Sequence, residues 1–346
     1  MPPKRTPPPR LLLVAALLAA CADDDGASAT AAVCTLGPSA CTSTHGADGT
    51  TAADPTTTTG DASAAATGPS TGDDPTTGDD PTTGGDPTTG GDPGLDPDAP
   101  PLVDGRWYRP GATITWQYQL TEALVTTYDA ELWGIDLFDN DAATIAALKA
   151  EGRRVICYFS AGSGEDWRPD YPQIDPAALG APLDGWPGER WLDFRHPSVL
   201  AVMRARLDLA LARGCAGVDP DNVDTYTQDS GFSISAAEQL AYNRWMANRA
   251  HERGLAVGLK NDLEQILDLV DYYDFHIDES CHEYDECDLL QPFVDAGKPA
   301  LELEYPGSEA DAEALAPALC PAALAAGLRT VMSPLALDGS WRVACD

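Results

Sequence analysis

The chain has 346 residues and a formal net charge of −34, with 55 Asp and Glu against 21 Lys and Arg. That balance argues against nucleic acid or an anionic membrane surface as the main partner, and for a cationic or neutral one. The first 100 residues hold 14 Asp, no Glu and three basic residues, whereas all eight Trp and all eleven Tyr lie beyond them. Composition thus separates a leader that cannot bury a core from a folded remainder of about 240 residues, enough for one sizeable domain.

Residues 1–20 read as a signal peptide. Met1–Arg10 is basic and Pro-rich, and Leu11–Ala20 (LLLVAALLAA) is an unbroken apolar run, too short to span a bilayer but suited to a signal sequence. It ends Leu18-Ala19-Ala20-Cys21, which resembles the lipobox of bacterial lipoproteins. That resemblance implies lipidation at Cys21; the alternative is ordinary cleavage near Ala20. Either way the chain is exported, as a cell-surface or outer-membrane lipoprotein or as a secreted protein, with the lipid its only tie to a membrane.

Residues 21–104 are dominated by Thr, Gly, Asp, Pro, Ser and Ala. They include the hexads Asp74–Asp79, Asp80–Gly85 and Asp86–Gly91 (DPTTGD, DPTTGG, DPTTGG). Without large apolar side chains nothing offsets the entropy of ordering, so a disordered, extended tether is expected. Nine cysteines fit an oxidising compartment. The expected pairs are Cys281 with Cys287 across a polar loop, Cys320 with Cys345 at the C-terminus, and Cys34 with Cys41 in the linker. Cys157 and Cys215, in apolar strand-like runs, read as buried thiols. A zinc site on Cys281, His282 and Cys287 lacks a second Cys/His pair, and no metal or cofactor is expected.

From residue 105 to 346, β-rich runs alternate with Ala/Leu-rich helical stretches. The predicted strands are Thr113–Gln119, Leu132–Phe138, Arg154–Ser160, Ala216–Asp219, Leu255–Lys260, Tyr272–Ile277, Pro299–Leu303 and Arg329–Met332. The predicted helices are Asp141–Glu151, Pro197–Arg213, Ser235–Arg253, Asp262–Val270, Asp288–Ala296 and Glu309–Ala326. Gly152, Gly214, Gly254, Gly297 and Gly327 stand where helix C-terminal caps belong. Eight strands joined by helices over this length match an α/β fold of the (β/α)₈ TIM-barrel type. A doubly wound sheet would want a Gly-rich phosphate loop after the first strand, and Trp116-Gln117-Tyr118-Gln119-Leu120 offers none.

The strand ends carry the polar residues. Asp136 and Asp139 close the second strand, Asp219-Pro220-Asp221-Asn222 follow the fourth, Lys260-Asn261-Asp262 the fifth, Asp278-Glu279 the sixth, and Glu302 with Glu304-Tyr305 the seventh. In a parallel barrel these ends share one rim, where active sites form. The long excursion Gly162–His196, with Trp167, Trp186 and Trp191, would wall or cover that rim. Convergent carboxylates among Trp and Tyr describe a carbohydrate site, two carboxyls supplying an acid and a nucleophile or base. Asp141, Asp262 and Asp288 read instead as helix caps. Asp219, Asp221 and Glu279 read as site residues, because three acids at strand ends on one rim repel unless they share a proton, a cation or a substrate. A calcium loop fails, since its Gly would fall on Asp224 and its Glu on Ser230. No G-x-S-x-G marks a serine hydrolase.

The segments Trp116-Gln117-Tyr118-Gln119-Leu120, Ile135-Asp136-Leu137-Phe138-Asp139, Val155–Ser163, Glu165–Asp170, Trp186–Asp193, Gly217–Asp224, Gly258–Asp262 and Glu279–Cys287 resemble, in order, glycoside hydrolase family 114. The resemblance covers about residues 113–305. It implies a (β/α)₈ barrel with endo-α-1,4-polygalactosaminidase activity and the catalytic pair Asp221 and Glu279. Asp136, Asp219, Lys260, Asn261 and Glu304 match other motif positions and become candidate sugar contacts. Trp116, Tyr118, Trp167, Tyr226 and Tyr305 are expected to add stacking and cation–π contacts. A cationic amino-sugar polysaccharide would suit an acidic cleft, acted on by a monomer. Two alternatives stay open: a hydrolase of another amino-sugar polymer, and a non-catalytic carbohydrate-binding barrel.

Overall fold

Strict alternation within each β-rich run sets which side chains face the barrel axis, and that alternation builds the fold. The structure, a computed structural model, describes residues 94–346. The signal peptide, Cys21, most of the tether and the Cys34–Cys41 pair lie outside the described residues. All eight predicted strands form: β1 (Trp116–Gln119), β2 (Leu132–Asp136) and β3 (Arg154–Ser160) come first. Three short strands of the excursion follow, β4 (Ser163–Glu165), β5 (Leu179–Pro182) and β6 (Glu189–Leu192). Then come β7 (Gly217–Asp221), β8 (Ala256–Lys260), β9 (Phe275–Glu279), β10 (Ala300–Glu304) and β11 (Leu328–Met332), with β12 (Val343–Ala344) near the C-terminus. The main sheet runs β1-β2-β3-β7-β8-β9-β10-β11-β12. Every pair in it is parallel except β11 with β12.

Helices α1 (Ala142–Ala150), α2 (Pro197–Arg213), α3 (Ala236–Glu252), α4 (Ile266–Leu269), α5 (Cys281–Tyr284), α6 (Gln291–Asp295) and α7 (Glu309–Ala325) follow the strands from β2 to β10. Local chemistry sets their ends. Asp141 accepts from the Thr144 backbone N–H at 2.8 Å, and Ser235 with Glu238 forms a capping box on α3. Gly214 closes α2 at φ +84°, and the other four predicted glycine caps also have φ between +70° and +88°. Asp262 and Asp288 depart from expectation. Neither makes a side-chain cap, because tight 3₁₀ turns replace the first turn of each predicted helix there.

Two apolar layers result. Tyr118, Ile156, Phe275, Ile277, Leu301 and Leu303 point inward, while Trp133, Val155, Phe159, Val218 and Leu259 pack outward against the helices. Gly134 makes room for the inner layer, since a Cβ there would lie 2.2 Å from the Tyr118 ring. β1 and β12 are the sheet's edges. The seam between β1 and β11 is bridged by Trp116 Nε1 donating to the Arg329 carbonyl and Arg342 donating to the Trp116 carbonyl, both at 2.8 Å.

Disulfides Cys281–Cys287 and Cys320–Cys345 form as expected. Cys157 and Cys215 correct the sequence reading: they are bonded to each other, not free thiols. Cys157 faces the outer layer of β3, and the register with β7 sets Cys157 opposite Val218, three residues past Cys215. The domain boundary also moves. Within the segment assigned to the tether, the carbonyls of Pro97 and Pro100 accept hydrogen bonds from Arg244 and Asn248 of α3, and Leu102 N–H donates to Asn248.

Candidate active site

Three consecutive strands deliver the reactive set. Asp219 and Asp221 on β7, Lys260 on β8 and Glu279 on β9 occupy the same inward-facing phase of the alternation as Phe275 and Ile277. Lys260, 2 % exposed, places its Nζ 3.2 Å from Asp221 Oδ1 and 3.4 Å from Glu279 Oε2. Burial alone would lower the lysine's pKa, but the charges of Asp221, Glu279 and Asp219 outweigh it and push it above its ordinary value. One buried cation therefore joins two partly exposed carboxylates.

Each carboxylate also has its own tyrosine. Tyr118 donates to Asp219 at 2.6 Å, Tyr158 to Asp221 at 2.9 Å and Tyr305 to Glu279 at 2.5 Å. Burial holds all three hydroxyls well above the usual tyrosine range, which keeps them donors. Asp221 further accepts from the Asn222 backbone N–H at 2.7 Å. Asp219 is fully buried beneath the pair. Burial pushes its carboxyl up to about 7, with Lys260 opposing and Asp221 and Glu279 adding to the rise.

The residues just past the reactive ones share a backbone feature. Asn222, Asn261 and Ser280 follow Asp221, Lys260 and Glu279 directly, and all three adopt left-handed φ of +60°, +50° and +67°. Side chains other than glycine enter this region at a cost of order 1–3 kcal/mol, and such strain gathers at functional sites. Asn261 uses its turn to accept the Glu279 backbone N–H on Oδ1 at 3.1 Å. Its carbonyl takes His276 Nε2 at 2.8 Å, and burial lowers that imidazole to about 4.

The excursion after β3 folds as a three-stranded antiparallel sheet, β4-β6-β5. Two buried arginines root it. Arg168 spans Asp136 (2.6 and 3.1 Å) and Glu165 (2.9 Å), and Arg206 of α2 spans Asp170 (2.8 and 2.9 Å) and the Ser160 carbonyl (2.6 Å). Gly162 seats its base, since a Cβ there would lie 1.7 Å from the Asn222 carbonyl oxygen. Trp167 and Trp186 stand exposed on it, at 52 % and 47 %. A rim of paired carboxylates, a fixed cation and exposed indoles has the parts for glycosidic cleavage.

A profile of glycoside-hydrolase family GH114 matches residues 98–346. The chain belongs to this glycoside hydrolase family. Among solved structures, Ega3 of Aspergillus fumigatus in complex with galactosamine is 38% identical with a TM-score of 0.65, over 70% of this chain and 99% of Ega3. The glycoside hydrolase domain of PelA from Pseudomonas aeruginosa, 16% identical, shares the fold with a TM-score of 0.55 over 66% of this chain and 98% of that domain. An uncharacterized protein of Deinococcus radiodurans is 31% identical over 141 residues, 38% of this chain and 46% of that relative, so the match spans under half of its length.

Family membership makes the chain a glycoside hydrolase with a (β/α)₈ TIM-barrel-like fold, and the geometry sorts the predicted site residues. Asp219, Asp221, Lys260, Asn261, Glu279, Tyr118 and Tyr305 gather around one point. Three others do not. Trp116 opens β1 rather than sitting mid-strand, which puts it at the N-terminal end of the barrel, 1 % exposed and bonded to Arg329. Glu304 falls in the outward phase of β10, where its Oε1 accepts the His282 backbone N–H at 2.7 Å. Asp136 faces inward but is 1 % exposed and committed to Arg168. Tyr118 acts from below, on Asp219, and not on a sugar face. Sequence reasoning passed over Tyr158 and Glu189. The register of β3 with β7, which sets Tyr158 against Asp219, would have found the first; Glu189 lies in an irregular excursion and carries no positional signal.

Proposed function

We propose that this protein is an exported glycoside hydrolase that cleaves internal α-1,4-galactosaminidic bonds, with Asp221 and Glu279 as the working pair. The observation that carries this reading is the single Lys260 ammonium shared by the two carboxylates at the shared rim. The nearer oxygens of Asp221 and Glu279 are at most 6.6 Å apart, the length of those two contacts laid end to end. Any bend at Nζ brings them closer, toward the roughly 5–5.5 Å of retaining enzymes. Within that bound, double displacement through a covalent glycosyl intermediate is the course proposed here.

The environments differ in a way that suggests roles. Asp221 is held by three donors, Tyr158, Lys260 and its neighbour's backbone N–H, and is the less exposed of the two, 17 % against 30 %. A nucleophile needs that fixed aim. Glu279, nearer to water, suits the acid and base, which must exchange protons with leaving group and solvent. Lys260 holds both at one separation.

Deacetylated galactosamine chains are polycations near neutral pH, matching a chain of net −34. Ega3's bound galactosamine supports the same sugar. Export is supported by the signal-like leader with its lipobox at Cys21 and by three disulfides among the described residues. The test is product analysis on α-1,4-galactosamine polymer. Oligomers of mixed length released first, with the α configuration retained by proton NMR, are expected. Monomer alone from the start, or cleavage only of a different amino-sugar polymer, would sink the proposal.

A further inference from the structure

Glu189 opens β6 at the edge of the reactive cluster and is 8 % exposed. Its Oε2 accepts from Ser163 Oγ at 2.6 Å, Ser163 Oγ lies 2.6 Å from Ser160 Oγ, and Asn222 Nδ2 donates to Ser160 Oγ at 2.9 Å. An amide nitrogen only donates. Ser160 therefore donates to Ser163 and Ser163 to Glu189, so the whole chain runs one way and ends on a carboxylate acceptor. It starts at the residue that touches Asp221, and Ser160 is itself the register partner of Asp221.

This wiring fixes Oε2 of Glu189, while Oε1, which makes no hydrogen bond among the described residues, is still reached by solvent although the residue as a whole is nine-tenths buried. No cation is committed to it. Arg168 is already engaged by Asp136 and Glu165, and Lys260 by Asp221 and Glu279. Burial pushes the Glu189 carboxyl up to about 7, with Ser163 and the more distant charge of Arg168 opposing and Glu165 and Asp221 adding to the rise. A carboxyl next to two others, with one open oxygen and no cation within ion-pair distance, is placed to receive a cation brought by the ligand in exchange for a proton.

We propose that Glu189 reads the amino group of the sugar: its Oε1 receives the 2-ammonium of a galactosamine unit lying beside Asp221, and thereby selects deacetylated over N-acetylated chains. The inference rests on the galactosamine reading above and names the residue that enforces it. An acetamido group would remove the positive charge and cover Oε1 without pairing it, a loss that polar sites discriminate against strongly.

The test uses the full chain, wild type and Glu189→Gln, an isosteric change that keeps the Ser163 hydrogen bond. Calorimetric titration with galactosamine and with N-acetylgalactosamine is set beside kcat/KM on deacetylated and N-acetylated α-1,4 oligomers. Wild type should prefer galactosamine, and Glu189→Gln should lose about tenfold or more of that affinity while N-acetylgalactosamine binding stays unchanged. Equal losses for both sugars would reduce Glu189 to a shaping role in the excursion and overturn the proposal. No loss, no preference in wild type, or binding of neither sugar would overturn it as well. Preference that depends on Glu189 in a wild type that cuts neither oligomer would leave this inference standing and remove the hydrolytic one. Asp221→Asn separates the two from the other side, abolishing cleavage while keeping the preference.

Discussion

Asp219 is a fully buried acid whose charge works against the fold, and replacing it should make that visible. Burial raises its pKa from the usual 3.8 to about 7. Between those values the native state keeps a proton that the unfolded chain releases, so stability contributed by this group is complete at low pH and is lost as pH rises through 7. At 1.36 kcal/mol for each tenfold change in proton activity, the window from 3.8 to 7 amounts to about 4 kcal/mol. Asp219→Asn is neutral throughout and still accepts from Tyr118. Near pH 4 the variant should match wild type. At pH 8 it should be more stable by up to about 4 kcal/mol, while losing activity. Urea unfolding under non-reducing conditions at both pH values measures the difference. A stability difference independent of pH, or one in which wild type gains on the variant as pH rises, would mean that Asp219 stays ionised against Lys260, and would refute the reasoning.

Tyr305→Phe removes the hydroxyl that donates to Glu279 at 2.5 Å; hydrogen bonds to charged groups are worth about 1.5–3 kcal/mol, so kcat/KM should fall roughly 10- to 150-fold with little change in urea midpoint. Cys157→Ser with Cys215→Ser opens a cross-link spanning 58 residues, which chain entropy values at about 4 kcal/mol; denaturant titration should show that loss, and an unchanged midpoint would contradict it. Trp167→Ala removes an exposed indole from the excursion and should raise KM for long chains several-fold while leaving kcat and stability in place. Cleavage of a deacetylated chain should slow as salt rises from 0.05 to 0.5 M, as screening predicts for a cationic ligand, and an N-acetylated chain should show no such slope.

The barrel was legible because its parts announce themselves locally. β-rich runs marked all eight strands, five of them preceded by a helix-capping glycine, and acids at the ends of β7 and β9 pointed to Asp221 and Glu279. What was not legible depends on register. Cys157 and Cys215 are separated by 58 residues and meet only because β3 and β7 are parallel neighbours. Glu304 and Tyr305 are adjacent in sequence, yet the alternation sends the glutamate out to α5 and leaves the tyrosine on Glu279. Trp116 was misplaced by a strand start three residues too early, which is enough to move a side chain from the middle of a barrel to its floor. Glu189 and Arg168 belong to an excursion of irregular turns, and their partners follow from hydrogen bonds that no periodicity encodes.

The most direct test of the catalytic assignment is mass spectrometry of the products released from α-1,4-galactosamine polymer by wild type, Asp221→Asn and Glu279→Gln, prepared as the full chain with disulfides intact. A ladder of oligomers from wild type and none from either variant, both folded and still binding the polymer, is the predicted result. Ladders that survive both substitutions would contradict the assignment of the pair.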